Sequence, residues 1–136
     1  MTGSDGRGSP GRQVLVALYA VLAVAAGARS LVQISTRFDR APVAYGLSLV
    51  AAVVYLVATL ALRRRSATAS RVAGAALGFE AVGVVVVGTL SLLRPEWFPD
   101  QTVWSRYGAG YAFLPLVLPF AGLWWLRRHA ATRPLT

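Results

Sequence analysis

The sequence predicts an all-α membrane protein, one domain built as a bundle of four transmembrane helices joined by short loops. Three observations predict it. Of the 136 residues, 56% are hydrophobic and only 14% charged, against roughly a quarter charged in an ordinary soluble domain. The apolar residues fall into four blocks, Val14 to Ile34, Pro42 to Leu62, Val72 to Leu93 and Tyr107 to Leu126. Each is close to the span of about 20 residues that a hydrocarbon core of roughly 30 Å requires. The basic residues are all arginines, and nearly all sit just outside the blocks, where they act as topology signals and headgroup contacts.

Residues 1–12 (MTGSDGRGSPGR) are rich in Gly and Ser and lack apolar periodicity, so a disordered lead-in is expected. In the first block, Arg7 and Arg12 precede an apolar run, and Ala26-Gly27-Ala28 has the small-x-small form of a signal-peptidase site. Apolar residues nevertheless continue to Ile34, a full span rather than a short signal core, and an uncleaved helix is the preferred reading. Tyr19, Ala23, Ala26, Ser30 and Gln33 form a weak polar stripe along it. Arg29, towards its far end, can hold its stem in lipid and its head at the interface.

The turn Ser35 to Ala41 leads to Pro42, which suits a first helical turn because its missing N–H has no partner to lose there. In the second block the less apolar residues Tyr45, Ser48, Ala52, Tyr55 and Thr59 recur at helical spacing and share one face, while valines and leucines cover the rest. That face is expected to meet protein and the remainder lipid. Ordinary small and hydrogen-bonding residues at helix contacts account for both stripes.

The loop Arg63 to Arg71 carries four arginines and no acid. Cytoplasmic loops carry the excess of basic residues, so this side is inside. Arg7, Arg12, Arg63, Arg64, Arg65, Arg71, Arg127, Arg128 and Arg133 face a single acid, Asp5, on that side. On the other side Arg37, Arg40, Arg94 and Arg106 are nearly balanced by Asp39, Glu96 and Asp100. Both termini are therefore expected in the cytoplasm.

The third block carries the most informative residues. Gly74 and Gly78 make a GxxxG step that Ala81, Val85 and Gly88 continue, a face on which another helix can approach closely. Glu80 points roughly 120° away from it at about 100° per residue. An acid facing lipid would cost on the order of several kcal/mol, so Glu80 is expected to face the interior or to hold its proton. Counted from the cytoplasmic ends, Tyr55 lies at nearly the depth of Glu80 and Tyr19 slightly shallower. The expected cluster is a Tyr55–Glu80 hydrogen bond extended by Tyr19, first of all a structural clasp, with a proton or substrate role as the alternative.

The segment Arg94 to Arg106 (RPEWFPDQTVWSR) contains Trp97, Phe98 and Trp104, which read as an interfacial stretch lying on the membrane. Asp39, Glu96 and Asp100 are scattered over two loops, weak grounds for a divalent cation. Trp124 and Trp125 mark the opposite interface, and Pro115 and Pro119 are expected to kink the fourth helix. Gly108, Gly110 and Gly122 allow close approach. Residues 129–136 form a short cytoplasmic tail.

The run YGAGYAFLPLVLPFAGLWWLRR, preceded by RPEWFPDQTVW and earlier by ARSLVQISTRFDRAPVAYGLS, resembles small four-helix integral membrane proteins of high-GC actinobacteria, a group of unassigned function. The resemblance covers most of residues 13–128 and implies a multi-pass protein of a bacterial cytoplasmic membrane, with no activity attached.

Other chemistry finds little support. The chain has no Cys, and its single histidine, His129, lies in the tail, away from any imidazole or thiolate ligand set in the bundle. No cofactor or metal site is therefore expected. The net charge of +9 follows the membrane flanks rather than a patch suited to nucleic acid. GxSxG, HExxH and P-loop motifs are missing, and lipid depth holds no acid pair. The expectation is a non-catalytic membrane protein, an accessory or structural subunit whose partners are the bilayer and a homo-oligomer or membrane complex. The alternative is a small oligomeric transporter or lipophilic-ligand binder built around Glu80, Tyr55 and the fourth helix.

Overall fold

The computed structural model describes residues 10–131, with side chains as far as Arg128. Among them the chain forms four α-helices, α1 (Pro10–Arg37), α2 (Pro42–Arg63), α3 (Ala67–Leu93) and α4 (Leu114–Ala131), with short 3-10 turns between, and no strand. The first three are long and apolar enough to cross a membrane. The fourth is different. It pairs with the 3-10 segment Ser105–Tyr111, and the two are bent by 97° at the break between them.

The continuous helix expected over Tyr107 to Leu126 is thus corrected. The apolar part of α4, Leu114 to Leu126, is about 20 Å long at 1.5 Å per residue, less than a hydrocarbon core of about 30 Å. The break comes from backbone conformation. Arg106, Tyr107, Gly108, Ala112 and Phe113 all have positive φ, between 52° and 84°, which costs a non-glycine residue about 1–2 kcal/mol. Gly108 is the position where glycine is needed: φ is +84°, and a Cβ there would lie 2.8 Å from the Pro115 ring. Pro115 is the second residue of α4, where no intrahelical donor is lost, so it starts the helix instead of kinking it. Pro119 alone lies inside the helix.

Two other boundaries differ for local reasons. The loop expected over Arg63 to Arg71 shortens to Arg64–Ser66, because Ser66 caps α3 by accepting a 3.0 Å hydrogen bond from the Ala69 N–H. The lead-in expected over residues 1–12 is helical from Pro10, and its first nine residues lie outside the described part. The tail expected from residue 129 is helical to Ala131, and 132–136 lie outside the described residues.

Arg12, expected only as a topology charge, is buried where the ends of three helices meet. Its guanidinium donates to the carbonyl oxygens of Leu62 and Arg64 at the end of α2, the latter at 3.2 Å, and stacks 4.9 Å from the Trp125 ring of α4. The start of α1, the α2–α3 turn and the end of α4 therefore share one end of the bundle, rich in arginine. The loops 38–41 and 94–113 lie at the other.

Candidate functional site

Glu80 is fully buried on α3, and Leu77 and Val84, three residues before and four after it, bury the same face. Its carboxylate oxygen Oε1 accepts a 2.8 Å hydrogen bond from the Tyr19 hydroxyl of α1. The other oxygen, Oε2, is buried without a partner among the described residues. The Tyr19 and Tyr55 rings lie 6.1 Å apart and tilted. The structure thus gathers Glu80, Tyr19 and Tyr55 into one cluster, but the bond to Glu80 comes from Tyr19 and not from Tyr55. Tyr55 is engaged elsewhere: its hydroxyl oxygen accepts a 2.9 Å hydrogen bond from the Trp104 indole N–H.

Trp104 is the residue that sequence reasoning missed. Expected to lie on the membrane surface, it is only 2% exposed, with its ring against Gly83 and 6.3 Å from Phe79. A Cβ on Gly83 would come within 2.6 Å of that ring. Gly83 lies about 15 Å along α3 from its end at Leu93, so the loop descends well into the bundle. It fills the level where α4 is too short to pack. The usable signal was Gly83 itself, a glycine off the GxxxG face.

Irregular backbone at such depth must find partners in protein, and hydroxyl side chains provide them. Val103 N–H donates to Ser48 Oγ at 3.1 Å, Thr102 N–H to Ser105 Oγ at 2.8 Å and Trp104 N–H to Thr102 Oγ1 at 3.0 Å. Arg106 N–H donates to Ser91 Oγ at 2.9 Å, and the hydroxyls of Thr89 and Tyr107 lie 2.9 Å apart. Ser48, read in the sequence as part of a polar stripe, is thus an anchor for the inserted loop. Ser30 Oγ and Gln33 Oε1 of the α1 stripe are buried without partners among the described residues.

The proposed glycine face divides in two. Gly88 receives the Tyr107 ring, which a Cβ would meet at 2.4 Å, and Ala81 is buried. An added Cβ at Gly74 or Gly78 would find nothing within 4 Å. The GxxxG step is therefore not used by packing within the chain.

At the loop end, Tyr45 donates a 2.8 Å hydrogen bond to Asp100 Oδ2, and the Gln101 N–H donates to Oδ1 at 3.0 Å. These bonds, the Tyr45 hydroxyl first, hold the Asp100 carboxyl below its ordinary range, helped by the nearby charges of Arg37 and Arg40. Glu96 instead lies 3.6 Å from Arg94 on the surface. No group of three metal-ligating side chains occurs among the described residues. Comparison with family models, curated proteins and solved structures found nothing that matches this chain.

Proposed function

We propose that the chain is a multi-pass protein of a bacterial cytoplasmic membrane, with both termini and the arginine-rich end in the cytoplasm, and that it serves as a non-catalytic accessory or structural subunit. The observation that carries this reading is the Tyr19–Glu80 hydrogen bond, buried in packed core and coupled through Tyr55 to Trp104. It joins α1 and α3, and its neighbours add α2 and the inserted loop, as a clasp between helices does. In this topology α1, α2 and α3 span the bilayer, and the 3-10 segment with α4 completes a fourth, broken crossing. The open Gly74–Gly78 step supports association with another transmembrane helix. Crosslinking in native membranes tests the subunit role: Gly78→Leu should abolish a crosslinked species while leaving the monomer folded. A wild-type chain that crosslinks to nothing would overturn it.

One observation favours a second reading, a small oligomeric transporter or lipophilic-ligand binder. Glu80 Oε2 is buried and unpartnered, and an ionisable group of that kind at lipid depth is a candidate for handling a proton or a ligand donor. Proteoliposome flux that disappears in Glu80→Gln while the fold persists would favour this reading over the clasp.

A further inference from the structure

A cavity of about 380 Å³ opens at the arginine-rich end between the last turns of α2 and the first turns of α3, within the range of about 300–1,000 Å³ of ligand pockets. Two alanines create its depth: Ala61 and Ala69 are buried at its floor, while Leu60 and Val72 stand half exposed along it. Arg64, Ser66 and Thr68 line it on the side of the α2–α3 turn. Arg63 and Arg64 also border an adjoining hollow with Leu60. The segment 63–71 has four arginines and no carboxylate. The turn is braced from behind, because Arg12 bonds the carbonyls of Leu62 and Arg64 and leaves the Arg64 side chain exposed.

We infer that this groove binds one anionic phospholipid, its phosphate at Arg64, Ser66 and Thr68 and an acyl chain along Leu60 and Val72. The inference rests on the membrane reading above, in which this end lies at the cytoplasmic interface, where anionic headgroups attract juxtamembrane arginines. Charge complementarity chooses the occupant. A polypeptide helix would have to bring its own acid to a mouth that is purely cationic, whereas a phospholipid carries anion and chain in one molecule of matching polarity. A guanidinium can fork the two non-bridging phosphate oxygens, and the hydroxyls of Ser66 and Thr68 can donate to the remaining lone pairs of the same oxygens.

The test is native mass spectrometry of the full chain released from detergent after titration with phosphatidylglycerol. One retained lipid is expected, with little retention of phosphatidylcholine. Arg64→Gln, at an exposed position, should weaken retention about fivefold, the effect of one basic contact near a membrane surface. Arg127→Gln, on α4 and outside the lining, should leave retention unchanged. Ala69→Leu, which fills the floor, should also reduce it, and the Arg64 variant keeps the test decisive if Ala69→Leu misfolds. Equal loss in the Arg127 variant, equal retention of phosphatidylcholine, or full competition by tail-less glycerol phosphate would each overturn the lipid site. A chain washed from membranes by alkaline carbonate would overturn the membrane reading instead, so the two failures are distinguishable.

Discussion

Glu80 and Tyr19 decide how much a single polar contact contributes in this bundle. Hydrogen bonds between helices in membranes contribute about 0.6 kcal/mol on average and up to about 1.7. Tyr19→Phe removes a donor and leaves Glu80 Oε1 unpartnered in packed core, so a loss near the upper figure is expected, about 1–2 kcal/mol. Glu80→Gln keeps an acceptor for Tyr19 and should cost less than Tyr19→Phe, whereas Glu80→Ala also opens a cavity and should cost more, about 2–5 kcal/mol. Unfolding of the three variants in one detergent gives this ranking, and a Gln variant weaker than the Ala variant would contradict the clasp. The inward aim of Glu80 was legible from the cost of an acid in lipid. Its partner was not, because depth counted from predicted span ends could not register α1 starting at Pro10, α3 starting at Ala67, or Trp104 taking the Tyr55 hydroxyl.

Among the elements, the inserted segment 98–113 and the helix α3 behind it carry the sharpest contrast. Gly83→Ala puts a methyl group within 2.6 Å of the buried Trp104 ring, and overpacking of this kind costs about 1–3 kcal/mol. Gly74→Ala meets nothing and should be neutral or stabilising by about 0.4–1 kcal/mol, since alanine restricts the unfolded chain. A lowered melting temperature for Gly83→Ala beside an unchanged or raised one for Gly74→Ala is therefore expected. Asp100 adds a pH dependence. Its pKa is lowered in the fold, so the stabilisation it lends is complete above the ordinary carboxylate value of about 4 and is lost as pH falls through the lower folded value. Amide protection of Val103 and Trp104 should stay level from pH 8 to pH 5 and fall at more acid pH, and Tyr45→Phe should reduce that acid-dependent component, the Gln101 N–H and the charges of Arg37 and Arg40 keeping the rest. Helices α1 to α3 were legible because each is a long apolar run, and α2 also opens at the expected Pro42, whereas α1 and α3 begin four and five residues earlier than the apolar blocks. The loop was not: its tryptophans and prolines suit a membrane surface equally well, and only the contacts of Ser48, Ser91 and Gly83 separate the two placements.

For the whole molecule, the arginine distribution and the Arg12 junction point in the same direction. Arg12, Leu62, Arg64 and Trp125 bring the start of α1, the α2–α3 turn and the end of α4 to one end, as the proposed topology of four crossings requires. With no native cysteine, single cysteines report topology directly: Ser66→Cys should be labelled only from the cytoplasmic side and Glu96→Cys only from the outside. The same accessibility for both would exclude this arrangement. Arg12→Ala should loosen both chain ends together, because the guanidinium holds two carbonyls and a tryptophan face at once. The bundle class was legible from block lengths and charge alone. The division of the last apolar block between a 3-10 segment and a short helix was not, because Tyr107 to Leu126 has the composition of an ordinary span and the break lies in backbone angles.

The bend between the 3-10 segment and α4 constrains the order in which the chain can pack. Chains are synthesised from the N-terminus, so α1, α2 and α3 emerge before the segment that must sit among them. Until Ser48, Thr89 and Ser91 are held in place, the amides of Val103 and Arg106 and the Tyr107 hydroxyl have no partners except water. The last third of the chain therefore cannot settle as an independent hairpin. The amides of Val103 and Arg106 find their hydroxyl partners only where α2 and α3 already stand together.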